Sequence, residues 1–171
     1  MKIKIANQSD IENLVNLINS GYRGEFSKNG WTTEANLISG EKRTDANDLL
    51  EIMQTKDSVF LKFENDEKEI LGCVNLKVIE DKLYLGMLCV KPLRQNSGIG
   101  KQLLLASEKF ALEQNCKSIF MWVINERTEL IDWYVRNGYK DTGKRELFPE
   151  HTDFGKPLKS FEFMVFEKDV L

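Results

Sequence analysis

Residues 95–101 form a short segment whose residue types and spacing are suited to binding an anion. An apolar, strand-like run over residues 83–90 precedes it, and apolar residues at helical spacing follow over residues 99–110. The first backbone N–H groups of a helix lack partners within that helix, and the helix dipole adds partial positive charge there. Because Gly98 and Gly100 have no Cβ atom, a phosphate group can approach this backbone closely. The segment therefore predicts a pyrophosphate-binding turn.

Two common phosphate-binding motifs do not fit this turn. A P-loop has a glycine five residues before its Gly-Lys pair and a serine or threonine after it, but those positions hold Gln95 and Gln102. A dinucleotide-binding fingerprint has a third glycine where this sequence has Leu103. An ordinary strand-to-helix turn with incidental glycines is the remaining alternative, so the surrounding sequence has to decide between the two interpretations.

The composition is ordinary for a globular protein, and we expect residues 1–171 to form a single domain with its own core. A formal net charge of −3 gives no overall basic surface, so we expect no nucleic-acid partner. Residues 1–5 do not resemble a signal peptide and no apolar run is long enough to span a membrane, so we expect no membrane partner. The three cysteines lie far apart in apolar runs, which predicts buried free thiols and a cytoplasmic location; they are Cys73, Cys89 and Cys116. Because the chain has only one histidine to join them, we expect no metal site.

Hydrophobic periodicity in the rest of the chain predicts the order of elements β-α-α-β-β-β-α-β-α-β-β. Ser9 and Glu12 have the spacing of a capping box for the first helix, and Thr44-Asp45 is expected to cap the second. Gly138 is well placed to end the last helix. Residues 21–43 mix aromatic, acidic and glycine residues without clear periodicity, and they form either a wall or lid of a binding site or a packed surface loop.

Two motifs give this order of elements a family resemblance over essentially the whole chain. The first is Val90-x-Pro92-x-x-Gln95-x-x-Gly98-x-Gly100, which resembles the acetyl-CoA signature of the GCN5-related N-acetyltransferases, the GNAT superfamily. The second is Asn125 followed by Tyr134-x-x-x-Gly138-Tyr139, which is similar to the second motif of that family. The resemblance implies an α/β (α+β) fold with a central, mostly antiparallel mixed and twisted sheet of about seven strands, flanked by about four helices.

The same resemblance implies acetyl-CoA as cosubstrate and indicates which residues bind it. The backbone of Leu88, Cys89 and Val90 would pair with the pantetheine arm as an added strand, in a gap between two splayed strands that Asn125 also faces. The turn amides that would hold the pyrophosphate belong to Gln95, Asn96, Ser97, Gly98, Ile99, Gly100 and Lys101. The family commonly has glycine where this chain has Asn96, but asparagine tolerates unusual backbone angles better than most residues.

The implied reaction is direct transfer of an acetyl group from a thioester to a primary amine of a small molecule or peptide. An alkylammonium with a pKa near ~10.4 must first lose a proton, to a carboxylate or a chain of waters. A backbone N–H of the splayed strand could stabilise the resulting oxyanion. Tyr134 matches the tyrosine that often protonates the departing thiolate, and packing on the sheet is its purely structural alternative. A covalent route through Cys89 is the rival mechanism, but the apolar flanks of this cysteine predict a buried thiol.

The acceptor side is less determined by the sequence. Candidates for the base or for the amine pocket lie in residues 21–43, which we call the long loop, in the strand turn of residues 80–82, and in residues 148–158, which we call the late loop. They are Tyr22, Glu25, Trp31, Glu34, Glu80 and His151. Each has an ordinary alternative as a solvated charge or a hydrophobic anchor. The resemblance is compatible with a homodimer. A non-catalytic acyl-CoA sensor or interaction module is the alternative function, and the presence of both Asn125 and Tyr134 favours the enzyme.

Overall fold

The computed structural model describes residues 2–149 and 152–171. Within these residues the chain forms seven strands and five α-helices. In chain order they are β1 (Lys2–Ile5), α1 (Ile11–Tyr22), α2 (Gly24–Ser27), α3 (Ala46–Gln54), β2 (Ser58–Glu64), β3 (Ile70–Ile79), β4 (Lys82–Val90), α4 (Ile99–Glu113), β5 (Ser118–Ile124), α5 (Thr128–Arg136), β6 (Lys140–Leu147) and β7 (Glu162–Asp169). In the described part of the chain, no helix has the length and apolar character needed to cross a membrane.

The strands form one sheet in the order β1-β2-β3-β4-β5-β7-β6. The pair β4–β5 is parallel and the other neighbours are antiparallel. The predicted seven-stranded, mostly antiparallel mixed sheet is therefore confirmed. The order differs from the prediction only by α2, a helix of four residues in the segment without periodicity. A single helical turn is too short to show a repeat of 3.6 residues.

The two central strands separate along their length. β4 and β5 pair only where Lys82–Tyr84 faces Ser118–Phe120, and they diverge beyond that point. The ladder between β3 and β4 shifts register between Cys73 and Asn75, and Met87 on β4 has a φ of 50°. This β-bulge bends β4 and accompanies the divergence. The backbone of residues 85–90 consequently has an unpaired edge on the side of β5.

Each face of the sheet is covered by helices. On one face α1 and α3 bury a cluster that includes Leu14, Ile18 and Leu49. On the other face α4 and α5 contribute to the larger cluster, for example through Leu103 and Tyr134. Full burial of a leucine or isoleucine side chain contributes about 1.5–3 kcal/mol, so these clusters fix the helices on the sheet. The ends of α1, α4 and α5 are thereby held around the gap between β4 and β5.

The caps of α3 and α5 agree with the prediction, whereas the cap before α1 does not. Asp45 caps α3 by accepting a hydrogen bond from Asp48 N at 2.8 Å, as predicted. Gly138 follows α5 with a φ of 92°, which confirms it as the terminator. The predicted box of Ser9 and Glu12 is wrong, because Asn7 and Asp10 form the capping box two residues earlier. The Asn7 side chain accepts from Ser9 N at 2.9 Å, so the chain begins to turn before Ser9.

Candidate active site

The turn between β4 and α4 has the backbone geometry of an anion-binding loop. Asn96 and Gly98 both have left-handed backbone angles, with φ values of 64° and 85°, and α4 begins at Ile99. Asparagine therefore adopts the conformation for which the family commonly uses glycine. A Cβ atom added to Gly98 would meet no other atom within 4 Å. The space beside this backbone is open to a ligand.

That space belongs to a cavity of about 560 Å³, including its open mouth, which we call the turn cavity. It is lined by the long loop, β4, the turn, α4 and α5. The lining residues are Trp31, Thr32, Leu88, Val90, Arg94, Gln95, Asn96, Gly98, Ile99, Gly100, Lys101, Leu130 and Trp133. The structure thus brings together eight of the predicted acetyl-CoA-binding residues, while Cys89, Ser97 and Asn125 do not line this cavity.

The side chain of Gln95 fastens the long loop to the turn. Its Oε1 accepts a hydrogen bond from Trp31 N at 2.8 Å, and its Nε2 donates to Thr32 Oγ1 at 2.8 Å and to Val90 O at 3.1 Å. A Cβ atom on Gly30 would lie 2.5 Å from Gln95 Oε1, so the glycine makes room for this amide. From the sequence, only the backbone amide of Gln95 was expected to bind the pyrophosphate, so this role of its side chain was missed.

Trp31 lines the turn cavity, although its sequence position made it a candidate for the amine pocket. Its ring makes an edge contact with Trp133 of α5, with ring centroids 6.1 Å apart. Gly100 lets α4 approach this pair, because an added Cβ would lie 3.3 Å from the Trp133 ring. The two indole rings therefore form one wall of the turn cavity beside the start of α4.

Cys89 faces away from the turn cavity, into the core under α1. Its Sγ donates a hydrogen bond to Leu17 O at 3.5 Å, and Gly21 leaves the space that the sulfur fills. Burial raises the pKa of this thiol to about 12. A thiol that stays protonated at neutral pH is a poor nucleophile, which argues against the covalent route. All three cysteines are buried and unpaired, as predicted.

Tyr134 lies on the inner side of α5, where 5% of its surface is exposed. Its ring packs against Trp133 and Tyr139, with ring centroids 5.2 and 5.6 Å away. Burial raises the pKa of its hydroxyl, and the positive charge of Arg127 opposes that rise. The group therefore stays protonated at neutral pH and can donate a hydrogen bond.

Asn125 lies at the end of β5, beside β7. Its side-chain oxygen accepts a hydrogen bond from Glu162 N at 3.2 Å, and its backbone N–H donates to Glu162 O at 3.0 Å. These two bonds hold the ends of β5 and β7 together after the last paired residues. The amide oxygen of Asn125 is thus directed to the β7 side of β5, opposite to the gap beside β4.

A second cavity of about 920 Å³, including its open mouth, lies against the bulged part of β4 and the diverging end of β5; we call it the arginine cavity. Among the described residues its lining combines three arginines, one carboxylate and many aromatic rings. The lining residues are Tyr22, Arg23, Glu34, Ile38, Arg43, Tyr84, Leu85, Gly86, Met87, Trp122, Ile124, Arg127, Phe148, Pro149, Thr152, Phe154 and Phe163.

Glu34 is held between two buried guanidinium groups at the edge of this cavity. Its Oε1 lies 3.4 Å from Arg23 Nε, and its Oε2 lies 3.2 Å from Arg127 Nη1. Arg127 Nη2 also donates to Thr32 O at 2.5 Å, and Arg23 donates to Phe154 O. The network joins the long loop to the end of α1, to the start of α5 and to the late loop.

Tyr22 connects this network to β4. Its hydroxyl donates a hydrogen bond to Leu88 O at 2.5 Å, and the Arg127 guanidinium lies 5.5 Å from the centroid of its ring. Burial raises the pKa of the Tyr22 hydroxyl well above its ordinary value. The hydroxyl therefore remains a donor and fixes the position of the bulged strand between the two cavities.

The predicted acceptor residues are only partly brought together. Tyr22 and Glu34 line the arginine cavity. Glu25 is exposed and pairs with Lys28 at 2.8 Å, and Glu80 is exposed in the turn between β3 and β4, at the opposite end of β4 from Val90. His151 lies outside the described residues. The arginines at 23, 43 and 127 were missed, because isolated arginines in three separate segments give no sequence motif.

Comparisons with known proteins identify the family of this chain. The profile of the acetyltransferase (GNAT) family matches residues 19–139, more than half of the chain. The spermidine N(1)-acetyltransferase of Thermoplasma acidophilum is 28% identical over 149 residues, which cover 82% of this chain and 89% of that relative.

Two solved structures have the same fold. The PaiA N-acetyltransferase of Thermoplasma acidophilum, solved in complex with coenzyme A, has a TM-score of 0.71 at 22% identity and covers 99% of both chains. The ribosomal-protein-S18-alanine N-acetyltransferase of Escherichia coli has a TM-score of 0.73 at 12% identity, over 99% of this chain and 93% of that one. The chain thus belongs to the acetyltransferase (GNAT) family and is an N-acetyltransferase.

Proposed function

We propose that this protein transfers the acetyl group of acetyl-CoA directly to a primary amine of a small molecule or peptide, with the donor in the turn cavity and the amine in the arginine cavity. One observation carries the proposal: neighbouring residues of β4 line both cavities. Gly86 and Met87 line the arginine cavity, whereas Leu88 and Val90 line the turn cavity. A donor and an acceptor bound in these cavities would meet at the bulge.

The residues of the turn cavity fit a coenzyme A molecule. Free N–H groups at the start of α4, the open backbone at Gly98 and the nearby cations of Arg94 and Lys101 suit a pyrophosphate. The unpaired edge of β4 offers peptide groups to an amide-containing arm. Bound acetyl-CoA would supply the acetyl group as a thioester.

The remaining steps are carried by residues of this chain. An N–H group of residues 87–88, in the bulge, would donate to the acetyl oxygen and stabilise the negative charge that develops there. The Tyr134 hydroxyl, which burial keeps protonated, would donate its proton to the departing sulfur. Both oxygens of Glu34 are bound to guanidinium groups, so we propose that water rather than Glu34 accepts the proton of the amine.

The charge of the arginine cavity assists that deprotonation. Arg23 and Arg127 carry two positive charges beside the single carboxylate of Glu34, among the described residues. Positive charges near an amine disfavour its ammonium form and lower its pKa. A larger fraction of a bound amine would then be neutral and able to attack.

Thermal unfolding and release of coenzyme A test this proposal together. Acetyl-CoA should raise the melting temperature more than adenosine does, and it should quench the fluorescence of Trp31 and Trp133, which line the turn cavity. A panel of amines should then release free thiol from acetyl-CoA. Stabilisation without thiol release from any amine would instead favour the acyl-CoA sensor, and absence of any shift at saturating acetyl-CoA would overturn the donor site.

We further propose that residues 1–171 act as one acetyltransferase domain in a reducing compartment such as the cytoplasm. The family match over residues 19–139 and the shared sheet support the first statement. The three buried, unpaired thiols support the second, because such thiols are typical of reducing compartments.

A further inference from the structure

Arg43 is a charged group of the arginine cavity for which the proposed reaction has no specific use. Its side chain is partly buried and lines the cavity. Its guanidinium lies 6.0 Å from the centroid of the Tyr22 ring and makes no hydrogen bond or ion pair with the described residues. A partly buried cation without an anionic partner is unfavourable, and an anion bound in the cavity would supply that partner.

Among the residues that the structure describes, the lining of the arginine cavity has more positive than negative charges. Glu34 is already shared by Arg23 and Arg127, which leaves Arg43 without a carboxylate among the described residues. Burial lowers the pKa of Arg23; Glu34 opposes this shift, while the positive charges of Arg43 and Arg127 add to it. The three guanidinium groups therefore repel one another, and a bound anion would relieve this repulsion.

Apart from Thr152, the rest of the described lining is apolar or aromatic. Tyr84 and Trp122 form an aromatic pair on the strands, with ring centroids 5.1 Å apart. Phe148 and Phe163 pack with centroids 5.1 Å apart at another side of the cavity. Such walls favour an apolar or aromatic body, and these described side chains offer no carboxylate to a second or third ammonium group.

We propose that the acceptor is a small amine that also carries a carboxylate on an apolar body, as an α-amino acid with an apolar side chain does, and that Arg43 binds this carboxylate. This inference rests on the proposed function and specifies its acceptor. Guanidinium binds carboxylate through two parallel hydrogen bonds, which fixes the orientation of the bound molecule. A polyamine, which has several positive charges and no anionic group, would be repelled by the same residues.

Matched acceptors test this inference. Phenylalanine, phenylalaninamide, phenethylamine and spermidine differ in the carboxylate and in the number of positive charges, and leucine with leucinamide repeats the comparison on a smaller body. We expect kcat/KM for each acid to exceed that for its amide by about tenfold or more, which is the effect of one charged hydrogen bond. Equal values for acid and amide, or a preference for spermidine, would overturn it and leave the proposed acetyl transfer standing.

Substitution of Arg43 isolates the role of its guanidinium. In Arg43→Gln, KM for the preferred acid should rise about 10- to 100-fold, kcat should change little, and the values for the amide should stay the same. Lys42→Gln is the matched control, because it removes the same charge from an exposed neighbour that does not line the cavity. Parallel losses for acid and amide in Arg43→Gln would indicate a structural role and contradict the inference.

A binding measurement covers the case in which none of these amines reacts. N-acetylphenylalanine and N-acetylphenethylamine resemble the two products and differ in the carboxylate. With coenzyme A present, the acid should raise the melting temperature of the wild type but not that of Arg43→Gln. No preference for the acid would overturn the inference, whereas failure of acetyl-CoA itself to stabilise the protein would overturn the proposed function.

Discussion

The Oε2 atom of Glu34 lies 3.2 Å from Nη1 of Arg127, although the two residues are 93 positions apart in the chain. Arg127 immediately precedes α5, and its other terminal nitrogen binds the backbone of Thr32 at 2.5 Å. This contact joins the long loop, which carries Trp31, to the helix that carries Trp133 and Tyr134. The same contact therefore supports walls of both cavities.

Replacing Glu34 with glutamine should destabilise the protein strongly. Among the described residues, the amide would leave the buried guanidinium groups of Arg23 and Arg127 without a carboxylate, since Glu34 is the acid that pairs with both. Removing one partner of a buried ion pair costs about 3 kcal/mol or more, and we expect a loss of about 3 kcal/mol because this pair borders an open cavity. Urea denaturation of the wild type and of Glu34→Gln gives the two free energies of unfolding, and their difference measures this loss.

Glu25→Gln is the matched control for that experiment. Glu25 is exposed, pairs only with Lys28 among the described residues, and lies on the same segment of the chain. An exposed ion pair contributes little, so the change should stay below about 0.5 kcal/mol. Similar small losses in the two variants would show that the Glu34 network does not hold the loop to α5.

Gly98→Ala should weaken acetyl-CoA binding beyond its effect on stability. Alanine at a φ of 85° costs about 1 kcal/mol, and its methyl group would project into the open side of the turn cavity. We expect the Kd for acetyl-CoA to rise about tenfold, a change of about 1.4 kcal/mol in binding free energy. Quenching of tryptophan fluorescence or calorimetry measures this constant.

Gly143 provides a control with the same backbone geometry. It also has a φ of 85°, also has no atom within 4 Å of an added Cβ, and lies on β6 outside the two cavities. Gly143→Ala should lose a similar amount of stability and keep its affinity for acetyl-CoA. If both variants bound acetyl-CoA equally well, Gly98 would not face the ligand.

The features that could be predicted from the sequence are those encoded by neighbouring residues. The alternating strands, the glycine turn before α4, the Asp45 cap and the Gly138 terminator each depend on a few consecutive positions. Even there, the capping box before α1 was misplaced by two residues, because Asn7 and Asp10 compete with Ser9 and Glu12 for the same capping role.

The arginine cavity could not be predicted for a physical reason. Its charged lining comes from the end of α1, the long loop and the residue before α5, and these segments meet only through the folded sheet. A single arginine is most often a solvated surface residue, so none of Arg23, Arg43 and Arg127 stands out alone. Gln95 was recognised for its place in a motif, yet its side chain acts on Trp31, Thr32 and Val90, which only the structure brings to it.

Tyr134→Phe should reduce turnover and leave acetyl-CoA affinity nearly unchanged. A positioned general acid contributes about 100-fold or more to the rate, so kcat should fall by at least that factor. Tyr139→Phe is the control, because Tyr139 Oη is buried and has no hydrogen-bond partner among the described residues. Removing this hydroxyl should leave turnover unchanged and should not lower the stability of the protein. A Tyr134→Phe variant with lower affinity but normal turnover at saturation would contradict the role as acid.

Stability should fall in alkaline solution, because every tyrosine and cysteine of the chain has a raised pKa in the folded state. Burial is the first cause for each of them: Tyr22, Tyr84, Tyr134, Tyr139, Cys73, Cys89 and Cys116. The unfolded chain releases these protons near the ordinary pKa values of about 8.5 for cysteine and about 10 for tyrosine, while the folded chain retains them. The contribution of these groups to stability is therefore intact below pH ~8.5 and is lost progressively above it.

The decline should steepen above pH ~10, where each tyrosine removes up to about 1.4 kcal/mol per pH unit. Urea midpoints between pH 7.5 and 10.5 measure the decline, and absorbance at 295 nm reports tyrosinate in the folded protein. The folded protein should show almost no tyrosinate at pH 10.5, whereas the urea-unfolded chain should be largely ionised. A normal titration of the folded protein near pH 10 would mean that the hydroxyls of Tyr22 and Tyr134 are exposed to water, and it would contradict the burial of these two side chains in the fold.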